Sequence, residues 1–218
     1  MTVLIYSTLL IIGVLILGFI IALLYFLLYS FYILKKVKMP LIEKSDQVII
    51  LADKYYNKTK NQNIKKLCTA IKIIGLVVLH KWDEIKQTVD LIDYSKSPKS
   101  HIIGYYIFSI LELYVCEQIE NADYMLSKIV KRGYAEENLA LAIFDYHHDG
   151  DKQEIKKILV SLLSTITDKR YQGFLYFYLG RLSDGNNAFQ YYQKASELGD
   201  LLIKHKAKSI LKCDNKIT

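Results

Sequence analysis

The sequence predicts an all-α protein in which an N-terminal transmembrane helix precedes an α-solenoid of about four helical hairpins. Three observations lead to this prediction. The first 34 residues contain no charged side chain, and the whole chain has only two prolines, Pro40 and Pro98. Beyond the first segment, apolar residues recur at helical spacing, and no stretch alternates apolar and polar residues long enough to indicate a strand.

The apolar run from Val3 to Leu34 is longer than the roughly 20 residues that a bilayer-spanning helix needs. No positive residue precedes it and no small-residue cleavage site follows it, which favours a retained anchor over a cleaved signal peptide. Lys35, Lys36 and Lys38 follow the run and are expected at the membrane surface. Because lysines resist transfer across a bilayer, we expect a single-pass cell-membrane protein with its N-terminus outside and its C-terminal domain in the cytoplasm.

The charge distribution indicates three segments. Residues 1–38 form the predicted anchor with its basic stop, residues 39–63 a juxtamembrane linker with a first helix, and residues 64–218 the helical-repeat domain. Residues 35–66 carry nine lysines against three acidic residues, whereas residues 67–199 carry 15 basic and 17 acidic residues. The net charge of +7 therefore points to the lipid bilayer rather than to nucleic acid as the basic segment's partner.

Helices are predicted wherever apolar periodicity runs between breaks marked by proline, glycine or clustered polar residues. The predicted segments are Asp46 to Asn57, Ile64 to His80, Trp82 to Tyr94, Ser100 to Gln118, Asn121 to Lys131, Glu136 to His147, Lys152 to Ile166, Lys169 to Leu182, Asn186 to Leu198 and Leu201 to Leu211.

The second helix of each predicted pair carries a triplet of residues. In every triplet the second residue follows the first by four positions and the third follows the second by three, which places all three on one face of the helix. The triplets are Ile85, Val89 and Ile92, then Ala122, Leu126 and Ile129, then Ile155, Leu159 and Leu162, then Ala188, Tyr192 and Ala195. Successive triplets are 37, 33 and 33 residues apart, which indicates a repeating array of four hairpins.

The last unit, FYLGRLSDGNNAFQYYQKASELGD from Phe177 to Asp200, resembles the tetratricopeptide repeat and its Sel-like relatives. The residues that carry the resemblance are Leu179, Gly180, Asp184, Gly185, Ala188, Tyr192, Ala195, Gly199 and Asp200. The resemblance extends from Ile64 to Leu211 and weakens toward the N-terminus. An irregular helical bundle with one such repeat is the alternative.

The resemblance implies protein binding in a concave groove lined by the first helices of the pairs. The residues whose position within each repeat corresponds to this groove are Ile74, Val78, Ile107, Leu111, Tyr114, Phe144, His147, His148, Phe177 and Arg181. The N-terminal part of this set is apolar, so we expect something to cover it. The candidates are the helix Asp46 to Asn57, a second copy of the chain, or another membrane protein.

The sequence lacks the usual motifs of catalysis and of metal binding. The stretch DYHHDGD contains adjacent His147 and His148, but neighbouring residues point to different sides of a helix and no HExxH or cysteine cluster accompanies them. Cys68 and Cys116 lie in apolar helical stretches, where a small buried hydrophobe is the ordinary role. We therefore expect no enzyme activity, no metal and no cofactor.

The sequence thus predicts a membrane-anchored cytoplasmic adaptor that binds a protein partner through its helical groove. The alternative from another class is a regulatory or immunity-type subunit of a membrane complex, acting through its transmembrane helix. Nucleic-acid binding by related helical repeats is disfavoured by the acidic balance of the central segment.

Overall fold

A computed structural model describes residues 45–91, 100–129, 132–199 and 201–214 of the chain. All of them belong to one compact unit, Lys44–Thr218. The described residues form ten α-helices and no strand, so the all-α prediction is confirmed for this part of the chain. The helices are α1 Ser45–Lys58, α2 Gln62–Val78, α3 Trp82–Asp90, α4 Ser100–Val115, α5 Ile119–Ser127, α6 Ala135–His147, α7 Lys152–Leu162, α8 Lys169–Arg181, α9 Gly185–Leu198 and α10 Leu201–Asp214.

The predicted transmembrane helix requires a correction. In the parts of the chain that the structure describes, no helix combines the length and the apolar character needed to cross a bilayer. The residues of the predicted span, Val3 to Leu34, lie outside the described residues, as do Lys35, Lys36 and Lys38. The described residues therefore do not support the transmembrane part of the predicted fold class, the single-pass anchor or the cytoplasmic placement of the C-terminal domain.

Several helices begin at a side chain that caps their first backbone N–H groups. Asp151 accepts hydrogen bonds from the backbone of Gln153 and Glu154 at the start of α7, and Asp168 accepts one from Arg170 at the start of α8. Such caps satisfy donors that have no partner inside the helix. They explain why α7 and α8 begin where the sequence predicts.

The first helices α2, α4 and α6 end in the same way, with a non-glycine residue in the left-handed backbone conformation. These residues are His80, Glu117 and Asp149, with φ of 57°, 62° and 58°. In each case the next backbone N–H reaches back to the carbonyl five residues earlier, as Lys81 does to Leu76. This is the Schellman turn, and it reverses the chain into the second helix of each pair.

The helices pack as successive pairs. Each second helix contacts its own first helix in the pairs α2–α3, α4–α5, α6–α7 and α8–α9. The first helices α2, α4, α6 and α8 also pack one against the next, so they form an inner layer. Helix α1 packs against α2, and Ile49 fits against Gly75, where an added Cβ would lie 2.9 Å from Cγ1 of Ile49. Helix α1 therefore covers part of the apolar surface of α2.

The inner layer closes on itself instead of remaining open. Phe108 of α4 makes an edge-to-face contact with Phe174 of α8 at a ring-centroid distance of 5.4 Å. The Tyr171 hydroxyl of α8 donates a hydrogen bond to the Gly104 carbonyl of α4. These contacts join the second and fourth pairs directly, and α4 becomes the most enclosed helix of the core.

Candidate functional site

Half of the predicted groove lies in the hydrophobic core. Five of its residues are at most 2% exposed: Ile74, Ile107, Leu111, Tyr114 and Phe177. They would reach a partner only if the first helices separated. The other five, Val78, Phe144, His147, His148 and Arg181, retain some exposure, and they carry what is left of the predicted surface.

Helix α10 accounts for much of this burial. It packs against α4 and α8 in the inner layer and against α9, with Ile203 and Ala207 fully buried. Lys206 Nζ lies 3.6 Å from a carboxylate oxygen of Glu117, at the C-terminal end of α4. The C-terminal helix thus lies against the face that the tetratricopeptide resemblance assigns to a partner.

The C-terminal part of the predicted groove comes together as a histidine cluster, which we define as Tyr114, Asp123, His147, His148 and Tyr178. The His147 ring stacks on Tyr114 with centroids 5.1 Å apart, and its Nε2 lies 3.0 Å from the Tyr178 hydroxyl. Burial and the nearby positive charge of Arg181 hold the pKa of His147 below its usual value. His147 is therefore a neutral packing residue at physiological pH.

The other half of the cluster ties α4 and α6 to α5. The Tyr114 hydroxyl donates a 2.7 Å hydrogen bond to Asp123, and His148 Nε2 lies 3.1 Å from the second oxygen of that carboxylate. His148 also stacks on Phe144 at 4.1 Å. These side chains satisfy one another within the fold, so the cluster is a structural joint between helices.

Arg181 is held in a similar way at the end of α8. Its guanidinium lies over the Phe177 ring at 5.3 Å and 3.6 Å from the Glu117 carboxylate. Of the predicted groove residues, the structure therefore brings Tyr114, His147 and Arg181 close together but engages them internally.

The described residues offer little for catalytic chemistry. Among them, no group of three or more histidine, cysteine or acidic side chains is placed to hold a metal ion. Burial raises the pKa of the Cys68 and Cys116 thiols to about 11. Both therefore remain protonated at neutral pH, whereas a nucleophilic cysteine acts as the thiolate.

A cavity of about 700 Å³ among the described residues groups charged side chains beside α7. We call it the lysine cleft. It is lined by Lys152, Gln153, Lys156, Lys157, Val160, Ser161, Leu182 and Asp184. One wall is the outer face of α7, and the other is the turn between α8 and α9. The lining combines three lysines and one carboxylate with two apolar side chains.

Helix α7 supplies two parallel rows of lining residues. Lys152, Lys156 and Val160 form one row, and Gln153, Lys157 and Ser161 form the other, each with a spacing of four. Side chains four residues apart lie one above the other on a helix, so both rows face the cleft together. This spacing is visible in the sequence and is the signal that points to the site.

The contacts inside the cleft leave most of its positive charge available. Lys156 Nζ donates a 3.2 Å hydrogen bond to the Leu182 carbonyl, which joins the two walls. Lys157 lies 3.8 Å from Glu154, and both side chains are more than 60% exposed. An exposed pair of this kind is weak, so Lys157 remains free to contact another anion.

The cleft exists because the outer layer is not evenly packed. Helices α3 and α5 contact each other as neighbouring second helices of the array. In the described structure, α7 packs mainly against α6 and α8, α9 packs mainly against α8 and α10, and no comparable contact joins α7 to α9. A gap therefore remains beside α7, and Val160 in that gap is 47% exposed.

Comparison with known proteins gave no match to a family model, to a curated protein or to a solved structure. The tetratricopeptide-like resemblance accordingly stays a prediction from the sequence.

Proposed function

We propose that this chain is a protein-binding adaptor and that it holds a segment of its partner in the lysine cleft. The observation that carries the proposal is the cleft itself, an open cavity of about 700 Å³ that combines three lysines with exposed apolar surface. Protein interfaces commonly combine apolar surface with polar and charged groups at their edge. The predicted groove supports the proposal less well, because its own side chains and α10 fill it.

The composition of the cleft favours a polypeptide over a small molecule. Small-molecule sites are mostly enclosed and lined by apolar and aromatic side chains. The described residues that line this cleft include no aromatic side chain, and its lysines are long and flexible. Lysine stems also present apolar surface to a partner while their ammonium groups reach its carboxylates.

The proposal is tested by site-specific photo-crosslinking in the cells that make the protein. A photoreactive amino acid replaces Val160 in the cleft, and in a control chain it replaces Ile50, which is 65% exposed on α1. We expect a discrete adduct with one partner segment, identified by mass spectrometry, from position 160 and not from position 50. The same adducts from both positions, or none from position 160, would contradict the proposal.

A further inference from the structure

The electrostatics of the lysine cleft identify the charge of its occupant. Its lining carries Lys152, Lys156 and Lys157 against the single carboxylate of Asp184. Residues 67–199 as a whole have two more acidic than basic side chains, so this positive surface stands out against its surroundings. Complementary charge steers association and selects the partner. The occupant should therefore present carboxylates.

The geometry of the cleft identifies the form of its occupant. Eleven residues of α7 span about 16 Å, enough for three turns of a neighbouring helix. The gap lies beside α7, where α9 does not pack as α5 packs on α3. Helices pack at about 8–10 Å between axes. A helix laid in this gap would pack on α7 in the way that α3 and α5 pack on each other.

The two lysine-bearing rows also specify the spacing of the occupant's side chains. Because Lys152 and Lys156 are four residues apart on α7, acidic residues four apart on a helix aligned with α7 would meet them in register. Val160 and Leu182 then provide an apolar contact at the far end of the row. An amphipathic helix with an acidic row beside an apolar residue meets both requirements.

We infer that the lysine cleft receives an acidic amphipathic helix of a partner protein, with carboxylates spaced by four residues on Lys152 and Lys156 and an apolar residue on Val160 and Leu182. This inference rests on the proposed function and adds the chemistry of the partner.

Two other anionic ligands fit the cleft less well. Single-stranded nucleic acid uses aromatic platforms for its bases, and the described lining has none. A small inorganic anion needs donors that converge on a point, whereas these lysines lie in rows along a helix.

The test uses a synthetic probe and the full chain. The probe, called the glutamate peptide, is a fluorescent amphipathic peptide of about 15 residues, long enough to form a helix, with glutamates four apart beside a leucine row. Its matched control replaces every glutamate by glutamine, which keeps length and apolar surface. Fluorescence anisotropy measures the dissociation constant of each peptide.

Charge reversal in the cleft provides the second comparison. The variant Lys152→Glu with Lys157→Glu changes exposed side chains and is expected to fold normally, which circular dichroism verifies. Lys208→Glu, on an exposed position of α10, is the control for net charge. We expect the cleft variant to bind the glutamate peptide about tenfold more weakly, because it loses the Lys152 ion pair and turns the neighbouring positive charge of Lys157 negative. The Lys208 variant should bind the peptide unchanged.

Equal binding of the glutamate and glutamine peptides, or equal weakening by the Lys208 variant, would overturn the inference. Displacement of the glutamate peptide by a single-stranded oligonucleotide or by millimolar inorganic phosphate would assign the cleft to those ligands instead. If position 160 crosslinks a discrete partner while the glutamate peptide fails to bind, the inference is wrong and the proposed function stands. If position 160 crosslinks nothing, the proposed function itself fails.

Discussion

Gly173 of α8 provides the sharpest test of how α10 is joined to the inner layer. A Cβ added at Gly173 would lie 2.5 Å from Cα and 2.9 Å from N of Gly199, at the junction between α9 and α10. Carbon atoms in contact are ordinarily about 3.5–4.0 Å apart. The clash is with backbone, so no side chain can rotate away. Gly173→Ala must therefore push α8 and the α9–α10 junction apart by about 1 Å.

The expected cost follows from two opposing effects. Overpacking of a filled core costs about 1–3 kcal/mol, and replacing glycine by alanine inside a helix returns about 1 kcal/mol. The net cost is between zero and about 2 kcal/mol, and a clash with backbone places Gly173→Ala toward the upper end of this range. Gly104→Ala in α4 is the matched control, because its added Cβ meets only the Tyr171 hydroxyl at 3.4 Å, an ordinary contact. That variant should be as stable as the wild type or up to about 1 kcal/mol more stable.

Urea unfolding of the full chain, followed by circular dichroism, measures both variants. The unfolding midpoint should fall for Gly173→Ala and stay or rise for Gly104→Ala, with unchanged slope. If both alanines had the same effect on the midpoint, the α9–α10 junction would not pass as close to α8 as the structure shows, and the packing of this junction on α8 would be refuted.

Three further variants test other parts of the fold. Burial lowers the pKa of His147, so on acidification this histidine takes up a proton in the unfolded chain before it does so in the folded one, and the free energy of unfolding should fall as the pH drops below about 6.5. The variant His147→Phe keeps the ring stacking but cannot be protonated. It should therefore lose less stability between about pH 7.5 and 5.5, as measured by urea titration at each pH. Ala195→Leu, at a fully buried position of α9, should cost about 1–3 kcal/mol in thermal unfolding, and an unchanged melting temperature would show that the helix crossing has spare room. Asp149 has a left-handed backbone conformation, so Asp149→Val should lower the free energy of unfolding by about 1–2 kcal/mol, whereas Asp149→Gly should not lower it. An equal decrease in both variants would rule out backbone strain at this position.

The helices could be predicted well because each depends on local periodicity and local caps. Helix α8 was expected from Lys169 to Leu182 and runs Lys169–Arg181. The boundary between α4 and α5 was harder, because Glu117 adopts the left-handed conformation that is usual for glycine or asparagine. Helix α4 therefore ends at Val115, before the predicted Gln118, and α5 begins at Ile119, before the predicted Asn121.

The site was harder to predict because it depends on contacts between distant segments. The position of Ile107 and Leu111 within the repeat predicts that they line a groove. Only the packing of α10 on α4 and α8, and the contact of α4 with α8, show that this face is closed. The lysines of α7 are visible in the sequence, where their spacing predicts only a charged face of a helix. Their importance depends on the gap beside α7, and local spacing does not reveal such a gap.

Hydrogen–deuterium exchange of the full chain, with and without saturating glutamate peptide, tests the central claim most directly. The account predicts that the peptide slows exchange in α7 and at the start of α9 and leaves α10 unchanged. Slower exchange in α4 and α8 together with faster exchange in α10 would contradict it, because the peptide would then have displaced α10 from the inner layer.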